Sequence, residues 1–160
     1  MPSTTPIIDR SCPVTEQKRY IPAPDGFLMV LRQGDDVLAR LGTLMVDEDI
    51  PSAMLTGFGF AGQITFGFFN FEAREYKPKS YENLEVTNLT GSLAWKDGKP
   101  LPYLHATAGS SSFEAVGGHL LALEVGRGSM ELHVTILRDR LERSTDASIG
   151  ANILQLGPAS

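Results

Sequence analysis

Residues 34–73 read GDDVLARLGTLMVDEDIPSAMLTGFGFAGQITFGFFNFEA, and the period of the apolar residues changes inside them. Val37, Leu38, Leu41, Leu44 and Met45 fall at i, i+1, i+4, i+7 and i+8, the spacing of one helix face. Asp35 and Asp36 suit its N-cap and first turn, where free N–H groups and the helix dipole favour carboxylates. Pro51 marks the stop. From Ser52 onward the chain is rich in aromatic and β-branched residues and is interrupted by Gly57, Gly59, Gly62 and Gly67. This half predicts two strands, Ala53–Phe60 and Gln63–Phe71, meeting at a tight glycine connection. The glycines could equally permit close backbone approach to a ligand or a neighbouring chain. A phosphate cradle is the weaker reading, because the stretch has neither a P-loop lysine nor a following helix.

Outside this stretch the strand signals continue. RYIPA precedes a turn at Pro24-Asp25-Gly26, and FLMVLR (Phe27–Arg32) is an apolar run of strand length. REYKPKSYEN reads as a polar connection and Leu84–Trp95 as a strand, followed by a hairpin turn at Asp97-Gly98. PYLHATAG and HLLALEVG read as strands. In SMELHVTILR, Met130, Leu132, Val134 and Ile136 alternate with Glu131, His133 and Thr135, so the two sets occupy opposite faces. One helix and about seven strands at hairpin spacing predict an α+β (α/β) domain with a largely antiparallel sheet. A doubly wound fold would need a helix between successive strands.

The chain has 160 residues, enough for one domain. Its 42% apolar and 21% charged residues suit a globular core. The expected organisation is a flexible arm over 1–18, a domain over 19–138 and a C-terminal extension over 139–160. The formal net charge of −5 argues against broad non-specific nucleic-acid binding, which needs a basic surface. A local basic patch remains compatible with that charge. The single cysteine, Cys12, excludes an internal disulfide and a cysteine-only zinc site. No apolar run reaches the ~18–20 residues of a spanning helix, and the N-terminus lacks the pattern of a secretory signal. Cytoplasmic localisation and no membrane partner are the expectations.

In order, the apolar strand with the GDDVLARL helix, IPSAMLTGFGFAGQITFGFFN, LEVTNLTGSLAW and PYLHATAG…AVGGHLL resemble the plant and prokaryote conserved (PPC) domain, from about Arg19 to Leu137. The resemblance implies an antiparallel α/β domain assembling as a homotrimer. It also implies a DNA-binding or regulatory role, of the bacterial stand-alone type. The Arg-Gly-Arg-Pro core of the AT-hook, which grips DNA in the plant relatives, is absent. GRGSM (Gly126–Met130) lacks the proline and the second arginine.

Some members of that family carry His-x-His on a strand and a third histidine in Gly-Gly-His, and hold a divalent metal such as zinc. Residues i and i+2 on a strand point the same way, so such a set converges on one point. Here Tyr103 stands at the first position, while His105 and His119 match the other two. His133 is the best substitute third ligand by chemistry, provided its strand pairs beside the others. Glu85 and Glu131 are the carboxylate candidates. Tyr103, Glu85, Gly117 and Gly118 are the candidate ligand-pocket residues, with Tyr103 able to donate a hydrogen bond. The plainer alternative is that His105 and His119 bond backbone or carboxylate groups, and that Gly117 and Gly118 open a turn or give room for close packing. Ser110–Ser112 lie in a turn without a Gly-x-Ser-x-Gly elbow, so no catalytic residue is assigned. Binding is expected ahead of catalysis, with the patch candidates Arg74, Lys77, Lys79, Arg127, Arg138, Arg140 and Arg143 for a nucleic-acid partner. The alternative is a zinc-dependent small-ligand-binding protein or enzyme that uses the His105/His119 site. The aromatic run Phe58, Phe60, Phe66, Phe68, Phe69 and Phe71 reads as core and subunit interface. It contains no Lys or Arg of its own to make a base-stacking surface.

Overall fold

A computed structural model describes residues 17–157. Cys12 and all of the expected N-terminal arm except Gln17 and Lys18 lie outside the described residues. The elements run β1 (Tyr20–Ala23), β2 (Gly26–Arg32), α1 (Val37–Asp47), β3 (Ser52–Asn70), β4 (Glu75–Lys96), β5 (Lys99–Gly109), β6 (Ala115–Leu137), β7 (Glu142–Thr145) and β8 (Asn152–Gln155). They form one eight-stranded sheet in the order β1-β2-β6-β3-β4-β7-β8, with β5 bridging β4 and β6. Strands β3, β4, β5 and β6 therefore close on themselves. All named strand pairs are antiparallel except β4 with β7.

The helix begins where its sequence predicts. Asp36 is the N-cap and accepts a hydrogen bond from the Ala39 N–H at 3.0 Å. Asp35 has a different task. Its buried carboxylate meets Arg19 Nε at 2.6 Å and Arg40 at 2.8 Å, and it accepts the Arg32 N–H at 2.8 Å. Burial pushes its carboxyl up, but the Arg32 N–H and the two guanidiniums prevail and hold it below the usual carboxylate range. Val37, Leu41, Leu44 and Met45 are buried against the sheet, and α1 packs on β5 and β6. Each such side chain contributes roughly 1.5–3 kcal/mol by leaving water.

The strands are longer than the sequence reading allows. The expected pair Ala53–Phe60 and Gln63–Phe71 is one continuous strand, β3, and its glycines make no turn. They mark register shifts, at Gly57/Gly59 against β4 and at Gly59/Ala61 and Ala61/Gln63 against β6. Bulges bend a strand without ending its ladder. Likewise REYKPKSYEN is no simple connection: its residues from Glu75 onward form the first part of β4. HLLALEVG and SMELHVTILR are two halves of β6. The turn at Asp97-Gly98 is present, with φ of +50° and +74° at the two positions.

The C-terminal extension is not an appendage. After Leu137 the chain crosses the end of β4. Ser52 donates to the Asp139 carbonyl and Trp95 N–H to the Leu141 carbonyl, while the Arg140 guanidinium lies 4.0 Å from the centre of the Trp95 ring. β7 and β8 then form a short hairpin beside β4.

Candidate functional site

One register row runs right around the closed sheet. Leu28 pairs with His133, His133 with Thr56, Thr56 with Thr90, Thr90 with His105, His105 with His119 and His119 with Gly67. Direct partners share a face, so His105 and His119 meet, their ring centroids 5.1 Å apart. Tyr103, two residues before His105, points the same way, and its ring lies 4.4 Å from that of His119. The strand-parity argument thus brings Tyr103, His105 and His119 together.

His133 does not join them. It lies four strand spacings away along the row, roughly 19 Å around the sheet. Its Nε2 is 3.1 Å from the Asp25 carboxylate instead. The condition that its strand pair beside the others fails because β6 is long enough to contribute His119 and His133 to different sides of the closed sheet. Glu85 pairs with Gly109, four residues beyond His105 or about 13 Å along β5, and lines a separate cavity with Ser110, Ser111 and Phe113. Glu131 pairs with Phe58 and Val30 on the far side, near His133. Gly117 and Gly118 sit within β6 opposite Thr107 and Ala106 and open no turn. Gly117 instead gives room for close packing, since a Cβ there would stand 2.7 Å from the Ala106 carbonyl oxygen.

Three residues that the sequence reading did not place complete the cluster. Tyr76 stacks on His119, with centroids 4.7 Å apart and planes 15° from parallel, and its hydroxyl lies 3.3 Å from that of Tyr103. Gly67 makes room for this ring, since a Cβ there would stand 2.7 Å from Tyr76 Cδ1. Arg143, from β7, lays its guanidinium 3.9 Å from the Tyr103 ring centre and donates to Ser92 Oγ at 2.8 Å. Arg143 appeared in the sequence only as a candidate for a basic surface patch. Docking of the hairpin on β4 turns it inward.

The electrostatics of the cluster follow from this crowding. Burial, then the neighbouring His105 and Arg143, lowers the His119 pKa to about 4, so its ring is neutral at pH 7. Burial, then the Tyr103 hydroxyl, pushes the Tyr76 phenol up, and burial pushes the Arg143 guanidinium down. His119 Nδ1 and Arg143 Nε are both buried without a hydrogen-bond partner among the described residues. As a zinc site the donor set does not fit. It offers two imidazoles, a phenol in place of the third and an uncompensated guanidinium alongside. Among the described residues no three His, Cys, Asp or Glu side chains gather into such a set.

A second feature lies on the opposite face of β3 and β4. Phe68 pairs with Lys77 and Phe66 with Lys79, and Lys79 Nζ sits 5.1 Å from the Tyr81 ring centre. These side chains, with Gly117 and Gly118, line a groove of about 280 Å³. The aromatic run holds no basic residue in sequence, yet the register supplies two.

An antiparallel sheet closed through β5, one helix and a histidine pair facing across β5 and β6 define the class. The chain belongs to the Plants and Prokaryotes Conserved (PCC) domain family, whose profile matches residues 20–138. Among solved structures, a proposed DNA-binding protein from Ralstonia eutropha is 49% identical, covers 86% of this chain and 96% of its own, and superposes with a TM-score of 0.84. A metal-containing protein from Archaeoglobus fulgidus is 29% identical, with 81% and 91% covered and a TM-score of 0.75. A plant- and prokaryote-conserved protein from Pyrococcus horikoshii is 25% identical, with 82% and 92% covered and a TM-score of 0.74. The comparison with curated proteins gave no match. No helix among the described residues is long and apolar enough to cross a membrane. The matched domain ends before β7, so Arg143 comes from outside it.

Proposed function

We propose that this protein is a homotrimeric interaction module that binds DNA through the groove between β3 and β4, and that its role is binding rather than catalysis. The observation that carries this reading is the alternation of aromatic and basic side chains across the two strands. Phe68 is 78% exposed beside Lys77, with Lys79 and Tyr81 next along the face. Aromatic faces stack on any base, and ammonium groups follow the phosphates. A single strand suits the groove best, because only unpaired bases can reach a ring at its floor. The relationship to a proposed DNA-binding protein at 49% identity supports the same class. Of the other patch candidates, Arg74 stands at the turn before Lys77. Arg140 and Arg143 are turned onto Trp95 and Tyr103, away from the groove.

The net charge of −5 makes a weak, salt-sensitive interaction the expectation. Fluorescence anisotropy with a labelled single-stranded oligonucleotide, measured from 20 to 200 mM salt (roughly the range where counterion release dominates), tests it. Replacing Lys77 and Lys79 by Gln should flatten the slope of log K against log salt by about 1.4, at about 0.7 for each phosphate no longer neutralised. Replacing Phe68 by Ala should weaken binding while leaving the slope alone. Absence of binding at the lowest salt, or indifference to all three substitutions, would remove DNA from the assignment.

A further inference from the structure

We propose that the cluster of Tyr76, Tyr103, His105, His119 and Arg143 is a binding site for a small organic carboxylate, completed by the C-terminal hairpin. Hydrogen-bond donors outnumber acceptors here. The Tyr76 and Tyr103 hydroxyls bring two protons and, at 3.3 Å, spend one on each other. Arg143 has five N–H groups; among the described residues it donates to Ser92 Oγ at 2.8 Å and the Asn152 carbonyl at 3.4 Å. Its Nε–H is buried with no acceptor among them. His119 Nδ1 is also without a partner there, and the neutral ring keeps one N–H on one of its two nitrogens. No carboxylate among the described residues pairs with Arg143, although Arg19, Arg40 and Arg140 each have one. Proton donors are therefore in surplus beside one unneutralised positive charge.

An anion is what such a set lacks. A planar carboxylate matches the guanidinium fork, and its two oxygens can take the spare phenol proton and an imidazole N–H as well. Phosphate fits less well, because the site offers one full cation and no nest of backbone N–H groups for a dianion. The rings of Tyr76, Tyr103 and His119 pack on one another beside the guanidinium. His105, exposed at the edge, leaves the cluster open to solvent. Arg143 lies beyond the profile-matched residues, which end at 138, so this ligand chemistry draws on the C-terminal hairpin. The carboxylate site is independent of the nucleic-acid groove, which lies on the other face of β3 and β4.

The test is a titration of the full-length protein with acetate, followed by the histidine ring resonances in a ¹H–¹⁵N NMR experiment and by calorimetry. Inorganic phosphate and zinc are run as comparison probes. The expected result is saturable acetate binding that moves the His105 and His119 signals. Arg143→Gln should weaken it by about tenfold or more, and Arg127→Gln, on the exposed surface, should leave it unchanged. Tyr103→Phe keeps the ring under Arg143 and removes one hydroxyl, so it should weaken binding by a smaller factor in a protein of unaltered fold. If Arg143→Gln fails to fold, Tyr103→Phe alone decides. No saturable acetate response would overturn the proposal. So would wild-type affinity in both site variants, tighter binding of phosphate, or stoichiometric zinc binding indifferent to Arg143.

Discussion

His119 is the group in the site whose shifted titration falls in the acid range. Its folded pKa of about 4 lies below the ordinary histidine value of 6.5 because burial and the cations of the cluster penalise the imidazolium. Above pH 6.5 neither folded nor unfolded chain holds the proton, and the stability is complete. As the pH falls from 6.5 towards 4, the unfolded chain takes up a proton that the folded one refuses, and stability is lost. The ring is only half-buried, so solvent screening reduces the loss to about 1–2 kcal/mol. Urea unfolding at pH 7 and pH 4.5 in carboxylate-free buffer should show it, and His119→Gln should remove that part of the drop. A variant with an unchanged pH profile would contradict this account of the ring's surroundings. The histidine pair was legible in sequence because strand parity is local: Tyr103 and His105 are two residues apart, and His119 follows within one hairpin. Tyr76 and Arg143 were not. Each reaches the site through packing between segments far apart in sequence, and nothing in ERST or REYK signals the ring or imidazole it will lie against.

At the scale of elements, the glycines misled in one direction only. A glycine inside an apolar run reads as a break, yet in β3 and β6 it permits close approach of two unbroken strands. Gly62 and Gly126 show why. A Cβ on Gly126 would stand 2.7 Å from the Gly62 nitrogen and 2.9 Å from the Ala61 carbonyl carbon, both backbone atoms that cannot swing aside. The register between β3 and β6 shifts on both sides of Ala61. Gly126→Ala should therefore destabilise the fold by about 1–3 kcal/mol, because the inserted methyl forces the strands apart. Chemical denaturation of the variant measures it, and a neutral substitution would mean the two backbones have room that their separation denies. The helix was legible because a cap and an apolar stripe are local signals, although the sequence offered both Asp35 and Asp36 for its start and only Asp36 caps it. The strand ends were not, because whether a ladder continues past a bulge depends on the partner strand. The short β7–β8 hairpin was invisible for a related reason: it is held by the edge of β4 and by Trp95, not by an apolar period of its own.

At the scale of the whole molecule, the outer face of β2, β6 and β3 carries exposed apolar side chains. Leu28, Met54, Phe58 and Phe60 all project from it, and Phe58 is 55% and Met54 46% exposed. Thr56, Glu131 and His133 are interleaved with them, so the face mixes exposed apolar side chains with polar ones that can pair across an interface. This face is the one we assign to the proposed homotrimer. Burying one such side chain contributes roughly 1.5–3 kcal/mol, and removing two from each interface would weaken association by about two to four powers of ten. The double variant Met54→Lys, Phe58→Lys keeps every core side chain, since neither residue belongs to the buried set. It should retain the wild-type circular dichroism spectrum while sedimenting as a single chain at micromolar concentration, where the wild type sediments at three times the chain mass. A wild-type monomer would refute the assembly. A variant that remains trimeric would instead move the interface to another face, one alternative being the tip of the β5–β6 turn, where Phe113 is 95% exposed with a positive φ of 63°.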